Sequence, residues 1–208
     1  MARVDFSLYL VTDRHQTCGR SLPEVIRAAL RAGVRAVQLR EKDLPTRPLL
    51  SLARELTELA RTYQAKVLVN DRADVCLAAG SDGVQLPAAG LSAAASRRLL
   101  GPDRLIGVSA HSAEEAVRAE ADGADFIVLG PIFETPSKRG FGPPIGLGEL
   151  ERARMRCQIP LFGIGGITSH RVRDVLKAGA RGVAVIGSVM AAEDVERASR
   201  ELLNALAS

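Results

Sequence analysis

The loop between Gly130 and Gly140 places hydroxyl and cationic side chains directly after an apolar run. Thr135, Ser137 and Lys138 follow residues 126–129, which have the sequence Phe-Ile-Val-Leu. Hydroxyls and cations at the end of a buried strand are suited to bind an anion such as a phosphate group. A polar, solvated loop without a ligand is the alternative for this segment taken alone.

Two glycine-containing turns further along the chain also suit an anion. The first is the segment 163–168, Gly-Ile-Gly-Gly-Ile-Thr, and the second is Ile186-Gly187-Ser188. Glycine lets backbone N–H groups approach an anion closely, and the N-terminus of a following helix adds a favourable dipole. Gly166, Ile186, Gly187 and Ser188 are therefore candidate ligands of a phosphate group, although they do not indicate which reaction is catalysed.

A third candidate cluster combines an amide with two cations. Gln38, Arg40 and Lys42 alternate along the chain where the apolar run 36–39 ends. If the alternation of a strand continues through them, the three side chains point the same way and suit a diphosphate. A solvated surface cluster of charges is the alternative.

A carboxylate follows the next predicted strand. Asn70 and Asp71 come directly after the run 66–69. Mg²⁺ often takes only one or two carboxylates and completes its shell with phosphate oxygens and water, so Asp71 is a candidate metal ligand. Alternatively, Asp71 caps the helix that follows.

Histidines provide one further candidate. His111 comes two residues after Ser109, at the end of the run 105–108, and Ser112 beside it opens a predicted helix. His111 is either an acid or base, or a structural hydrogen-bonding residue at that helix start. His15 and His170 have no recognisable partner in the sequence, and we expect both at the surface.

These motifs depend on short apolar runs that alternate with amphipathic, alanine-rich segments. Ser21, Thr46, Ser92, Ser112 and Thr168 are expected to cap helices, and glycines at 33, 80, 123 and 179 to end them. The predicted helices cover residues 21–32, 46–63, 72–79, 92–99, 112–122, 147–156, 169–178 and 191–206. The predicted strands are Leu8–Val11, Ala36–Leu39, Lys66–Val69, Gly83–Gln85, Leu105–Val108, Phe126–Leu129, Leu161–Gly163 and Gly182–Ile186.

Eight strand–helix units predict a parallel α/β fold, and eight is the number that closes into a (β/α)₈ TIM barrel. We therefore expect a single TIM-barrel domain over residues 1–208, with the polar motifs at one mouth. Phosphate sites after strands seven and eight are frequent in such barrels, which agrees with the two glycine turns. An open, doubly wound sheet is the alternative.

Composition limits the classes of partner. The chain has 47% hydrophobic residues, 3% aromatic residues and a formal net charge of +4. We expect no nucleic-acid partner because aromatic platforms are scarce, and no membrane span because no apolar run approaches about 18 residues. Cys18, Cys76 and Cys157 show no metal-ligand spacing and suggest reduced thiols in a cytoplasmic protein, and no signal peptide is apparent. Phosphorylated small molecules are the expected partners, and a homo-oligomer is compatible with the sequence.

Five motifs in order resemble the thiamine phosphate synthase/thiazole tautomerase superfamily, from about Tyr9 to the last helix. Each stands at the end of a predicted barrel strand. They are Val37-Gln-Leu-Arg-Glu-Lys-Asp43, Val69-Asn-Asp-Arg-Ala-Asp74, Ile106-Gly-Val-Ser-Ala-His111, Gly130-Pro-Ile-Phe-Glu-Thr-Pro-Ser-Lys138 and Gly163-Ile-Gly-Gly-Ile-Thr168.

The resemblance implies that hydroxymethylpyrimidine diphosphate and hydroxyethylthiazole phosphate are joined into thiamine phosphate and pyrophosphate, with Mg²⁺ as cofactor. It further implies a role for each of the candidate residues. Asp71 matches a metal ligand; Gln38, Arg40, Lys42, Asn70, Ser109 and Lys138 match the diphosphate set; Thr135, Ser137, Gly166 and Ile186 to Ser188 match the thiazole-phosphate site.

The chain departs from the synthase pattern after its fourth predicted strand. The pattern has Gly-Gln-Glu-Asp there, with a second metal ligand, and this chain has Gly90 where that Asp falls. Val84-Gln-Leu-Pro87 is more similar to the tautomerase branch, but Pro131 stands where that branch has a catalytic histidine. Synthase is the favoured function; a tautomerase, or a non-catalytic binder of thiamine-pathway phosphates, is the alternative.

Overall fold

The computed structural model describes residues 4–135 and 143–207. Eight parallel strands form a closed barrel in sequential order, and β1 pairs with both β2 and β8. The predicted TIM barrel is therefore confirmed and the open sheet is wrong. The strands are β1 Leu8–Val11, β2 Ala36–Leu39, β3 Lys66–Asn70, β4 Gly83–Leu86, β5 Leu105–Ala110, β6 Phe126–Leu129, β7 Leu161–Ile164 and β8 Gly182–Val185.

Helices surround the barrel and alternate with its strands. Two short elements after β1 and β8 were not predicted: a 3₁₀ turn at Arg14–Gln16 and α8. Within the described ranges the helices are α1 Leu22–Ala32, α2 Thr46–Arg61, α3 Ala73–Ala79, α4 Ala93–Leu100, α5 Ala113–Ala121, α6 Gly146–Arg156, α7 Ser169–Lys177, α8 Gly187–Met190 and α9 Val195–Ala207.

Most of the predicted helix starts are present, and two differ. Ser21, Ser92 and Ser112 each accept a backbone N–H in the first turn, as capping requires. Thr46 is wrong as a cap, because Pro45 occupies the N-cap position with a φ of −58° that its ring imposes. Thr168 stands at the N-cap of α7, but its side chain accepts no capping bond.

The prediction that four glycines end helices is confirmed. Gly33, Gly80, Gly123 and Gly179 have φ values of 113°, 67°, 93° and 94°, in the left-handed region that glycine adopts without strain. The last helix starts later than predicted, at Val195, because the Asp194 carboxylate accepts the Arg197 N–H.

Apolar side chains fill two separate layers. The outer faces of the strands pack under the helices, where Cys76 and Cys157 are buried. This burial raises the pKa of both thiols to about 11.

Inside the barrel, aromatic rings fill the end nearest the strand N-termini. Phe6, Tyr9, Phe126 and Phe162 form one cluster, with the Phe126 and Phe162 ring centroids 5.6 Å apart. This aromatic cluster closes the N-terminal end of the barrel interior. Inward-facing polar groups therefore lie near the strand C-termini, which is the end where barrel chemistry occurs.

No helix within ranges 4–135 and 143–207 has the length and apolar character needed to cross a membrane.

Because the barrel is closed, alanine substitutions at two glycines should affect the free energy of unfolding differently. A Cβ at Gly182, in β8, would lie 2.0 Å from the carbonyl oxygen of Ser7, whereas a Cβ at Gly148, in α6, would meet nothing within 4 Å. Gly182→Ala should lower the free energy of unfolding by at least about 1–3 kcal/mol. Gly148→Ala should leave it unchanged or raise it by about 0.5–1 kcal/mol. Chemical unfolding of both variants checks this, and equal stabilities would contradict the strand spacing.

Candidate functional site

Two predicted site residues meet through an amide pair between β2 and β3. The Nε2 atom of Gln38 donates a hydrogen bond to the Oδ1 atom of Asn70, and the two atoms are 3.0 Å apart. Gln38 is buried, and by strand alternation it faces the barrel interior like Ala36, which belongs to the interior cluster. The pair leaves further donors and acceptors of both amides for a ligand at the mouth.

A second polar pair joins β4 and β5. The Nε2 atom of Gln85 donates to the Oγ atom of Ser109 over 3.1 Å. Gln85 is only 1% exposed, and its Oε1 atom has no hydrogen-bond partner among the described residues. Gln85 was not among the predicted site residues. The available indication was an amide on an inward-facing strand position, where an apolar residue is usual.

The cations after β2 lie beyond the end of the strand. β2 ends at Leu39, so strand alternation places Gln38, while the common direction of Arg40 and Lys42 stays a prediction. Lys42 is exposed and Arg40 is partly buried, whereas Glu41 between them is only 4% exposed. The side chain of Arg40 forms no ion pair with a carboxylate in the described ranges, which leaves its charge available to a ligand.

A network of five side chains surrounds this loop. Arg14 donates from Nη1 and Nη2 to the two carboxylate oxygens of Asp43, and each of these hydrogen bonds is 2.6 Å long. The Nη1 atom of Arg14 also lies 3.2 Å from the Oε2 atom of Glu41. The Oγ1 atom of Thr12 donates to Oε1 of Glu41 over 2.6 Å. His15 is exposed as expected, but the expectation that it lacks a partner is wrong, because its Nε2 lies 3.2 Å from Oδ2 of Asp43.

Hydrogen bonds to Asp43 keep this carboxylate ionised. The Arg14 guanidinium, and secondarily the His15 ring, hold the pKa of Asp43 well below its usual range. The pKa of Arg14 is raised in turn, chiefly by its hydrogen bonds to Asp43. The two charges therefore persist as a pair at neutral pH.

Asp71 stands in a special backbone conformation at the mouth. Its φ is +60°, and its N–H donates to the carbonyl oxygen of Gln85 over 3.0 Å. The alternative that Asp71 caps α3 is wrong, because the N-cap residue is Arg72 and no side chain caps this helix. The exposed Asp71 carboxylate receives no hydrogen bond within the described part of the chain. A non-glycine residue with positive φ and an unengaged carboxylate is a reasonable candidate for function.

Gly90 lies directly beside Asp71. A Cβ at Gly90 would lie 3.0 Å from the Oδ1 atom of Asp71 and 2.9 Å from two ring carbons of Pro87. In ranges 4–135 and 143–207, no group of three or more His, Cys, Asp or Glu residues could hold a metal ion. Gly90 supplies no carboxylate, so the ligand that these two adjacent positions offer is Asp71. The site fits Mg²⁺ only if diphosphate oxygens and water complete the coordination shell.

The contacts of His111 agree with a structural hydrogen-bonding role at the start of α5. Its Nδ1 lies 3.2 Å from Oε2 of Glu115, which also accepts the His111 N–H over 2.7 Å. Ser112 accepts the Glu115 N–H at the start of α5. These bonds tie His111 to the first turn of the helix.

The glycine loop after β7 exposes consecutive backbone donors. A trans peptide directs its N–H away from its C=O, so fixing three carbonyls also fixes the next three N–H groups. The N–H groups of Gly165, Gly166 and Ile167 donate to no acceptor among the described residues. The carbonyls are held at Ile164 by the Ile132 N–H (2.7 Å), at Gly165 by the Phe133 N–H (3.1 Å) and at Gly166 by Arg171 Nη1 (2.7 Å).

The loop after β6 packs against this glycine loop. A Cβ at Gly166 would lie 2.5 Å from the carbonyl oxygen of Glu134, and the Arg171 guanidinium lies over the Phe133 ring at 4.6 Å. Thr135, which is partly buried, follows directly. Ser137 and Lys138 lie outside the described residues.

The turn after β8 adds two more backbone donors. Ile186 precedes α8, and the N–H groups of Gly187 and Ser188 have no acceptor within ranges 4–135 and 143–207. Gly187 and Ser188 are partly buried. β7 and β8 are paired, so the two sets of donors lie on neighbouring strands at the same end of the barrel.

Comparisons with known proteins agree over nearly the whole chain. The family described as thiamine monophosphate synthase matches residues 8–189. A protein of Geobacter sulfurreducens, provisionally named a thiamine-phosphate synthase, is 51% identical to this chain. The matched region covers 98% of this chain and 95% of the Geobacter protein. The thiamine-phosphate synthase of Moorella thermoacetica is 45% identical, covering 95% of this chain and 94% of that protein.

A solved structure has the same fold at considerable identity. The thiamine phosphate pyrophosphorylase from Pyrococcus furiosus is 39% identical, with a TM-score of 0.88 over 97% of this chain and 96% of that one. Sequence and fold therefore agree, and the chain belongs to the thiamine monophosphate synthase family.

Proposed function

We propose that this chain is a transferase that joins hydroxymethylpyrimidine diphosphate to hydroxyethylthiazole phosphate, forming thiamine phosphate and pyrophosphate. The supporting observation is that the rim of the barrel, formed by the loops after the C-terminal ends of the strands, offers two kinds of anion site. Arg40 after β2 offers a side-chain cation, and Gly165 to Ile167 after β7 offer backbone donors. Two substrates, each with its own phosphate, suit such a rim, and relatives named thiamine-phosphate synthase support the same reaction.

The diphosphate of the pyrimidine substrate is assigned to the β2–β6 side. Arg40, Lys42 and Lys138 would contact its oxygens, and the amide and hydroxyl groups of Gln38, Asn70 and Ser109 would orient it. The bond between the pyrimidine methylene carbon and the diphosphate oxygen breaks, and the pyrophosphate leaves with the electron pair. Preorganised cations stabilise that negative charge where it develops.

The thiazole phosphate is assigned to the β6–β8 side. Its phosphate would accept from backbone N–H groups at Gly166 and at the turn from Ile186 through Gly187 to Ser188, with the hydroxyls of Thr135 and Ser137 beside it. The thiazole nitrogen then attacks the methylene carbon, and the new C–N bond completes thiamine phosphate. No residue has to accept a proton in this step.

Mg²⁺ would be held by Asp71 together with the diphosphate. When bound, the ion would neutralise charge on the departing pyrophosphate. Asp71 contributes one carboxylate, and its left-handed backbone, fixed by the bond to Gln85, directs it without a competing hydrogen bond from the described residues.

Turnover assays test the proposed function against the tautomerase. Purified protein is incubated with both substrates and Mg²⁺, and thiamine phosphate is followed by chromatography. A parallel assay supplies the thiazole tautomer alone. We expect thiamine phosphate in the first assay and no isomerisation in the second, because Pro131 provides no group for proton transfer. Isomerisation without coupling would contradict the proposal, and binding without either reaction would favour a non-catalytic role.

Asp71→Asn should separate the two halves of the site. Asparagine also tolerates a positive φ, so the backbone is retained while the charge is lost. We expect turnover to fall at least about tenfold, because even supporting groups of metal sites have effects of this size. Calorimetric affinity for the thiazole phosphate should be unchanged. Full turnover in the variant would remove Asp71 from the mechanism.

Gly90→Asp should restore a second carboxylate next to Asp71. We expect half-maximal pyrophosphate binding at a lower Mg²⁺ concentration than in Gly90→Asn, which has the same volume and the same contact with Pro87 but no charge. Calorimetry at graded Mg²⁺ concentrations compares the two variants. Identical Mg²⁺ dependence would show that the loop does not direct the new carboxylate toward the ion.

Ser188 variants test whether backbone groups bind the thiazole phosphate. Ser188→Ala keeps every backbone N–H and should retain most of the affinity. Ser188→Asp places a negative charge at the same position and should weaken binding about tenfold or more. Calorimetry with the thiazole phosphate measures both. Equal affinities for the two variants would place the phosphate elsewhere.

A further inference from the structure

We infer that Arg14 is a positioning residue of the diphosphate site, which keeps the carboxylates of Glu41 and Asp43 away from Arg40. The inference rests on the proposed function, since it assigns Arg40 to the diphosphate. Arg14 itself lies after β1, outside the five family motifs, and has no assigned role in the coupling reaction.

The loop after β2 places acidic residues directly beside its cations. In the segment 40–43, Arg-Glu-Lys-Asp, each cation has an acidic neighbour. A carboxylate that paired with Arg40 would compete with the diphosphate and would add negative charge where the leaving group becomes more negative. A competent site therefore needs another partner for both acids.

Arg14 is that partner. Its two terminal nitrogens bind both oxygens of Asp43 over 2.6 Å each, in the planar, bidentate arrangement that makes arginine–carboxylate pairs strong and directional. The same guanidinium lies 3.2 Å from Glu41. One arginine thus engages both acids of the loop, and Arg40 remains without a carboxylate partner in the described ranges.

The two acids differ in how far they depend on Arg14. Glu41 is buried and is also held by the hydroxyl of Thr12 and by the Arg14 N–H, which a substitution of the side chain retains. The same Thr12 hydroxyl accepts the Arg40 N–H over 2.9 Å. The side chain of Asp43 is 56% exposed, and its other side-chain partner within ranges 4–135 and 143–207 is the His15 ring. Loss of the Arg14 side chain should therefore release Asp43 first.

The test measures binding of inorganic pyrophosphate with Mg²⁺ by calorimetry. Arg14→Met should weaken binding about fivefold, the size of one partly exposed ion pair. Arg14→Met combined with Asp43→Asn should return the affinity close to that of the unmodified chain, because the released carboxylate is then absent. A purely structural role of Arg14 would not be rescued in this way.

Two controls isolate the effect. Arg197→Met removes an exposed arginine that pairs with Glu201 on α9, and it should leave pyrophosphate affinity unchanged despite the same change in net charge. Affinity for the thiazole phosphate and the thermal unfolding midpoint should be the same for Arg14→Met and Arg197→Met.

Three outcomes would overturn the inference. Unchanged pyrophosphate affinity in Arg14→Met would show that Asp43 does not compete. A double variant as weak as Arg14→Met would show that Arg14 acts directly on the anion or through the fold. If the unmodified chain bound no pyrophosphate, the assigned diphosphate site would fail together with the inference, whereas either of the first two results leaves the proposed function intact.

Discussion

The pairing of β1 with both β2 and β8 is the constraint on which the site depends. Tyr9 is in register with Ala36 on one side and with Ala184 on the other, so the first and last strands of the chain become neighbours. All eight strands run parallel, and their C-terminal ends therefore share one rim. Loops that are far apart in sequence, such as those after β2 and β7, are brought to the same mouth only because the sheet closes.

The rim differs in chemistry from one side to the other. After β2 the candidate ligands are side chains with full charges, and a network around Arg14 engages the nearby acids. After β7 they are backbone N–H groups aimed by fixed carbonyls, with partial charges only. This difference suits the proposed reaction, because the departing pyrophosphate gains charge during the step while the phosphate on the thiazole keeps its charge throughout.

Strand positions were predictable from sequence because apolar runs between glycine-ended helices have few other interpretations. All eight predicted strands are present; β3, β4, β5 and β7 extend slightly beyond their predicted ends, and β8 ends slightly earlier. Gln38 was predictable for the same reason, since it lies within a regular strand, whereas Asn70 was expected just after β3 and is in fact its last residue. Strand alternation could not place Arg40 and Lys42, because β2 ends at Leu39, and the burial of Glu41 between them depends on its hydrogen bonds to the loop after β1.

Long-range hydrogen bonds account for what the sequence did not indicate. Arg14 and Asp43 are 29 positions apart, and no local pattern links them. The same applies to His15, whose contact with Asp43 also crosses between the loops after β1 and β2. Arg171 could not be selected either, because its role depends on the carbonyl orientation of Gly166 and on the Phe133 ring. Pairing between different β–α units appears only when the barrel is closed.

A crystal structure with thiamine phosphate and pyrophosphate bound together would test the division of the rim most directly. The account predicts pyrophosphate against Arg40 and Asp71, and the phosphate of thiamine phosphate against the N–H groups of the loops after β7 and β8. Pyrophosphate on the glycine loops, or both anions competing for one set of ligands, would contradict it.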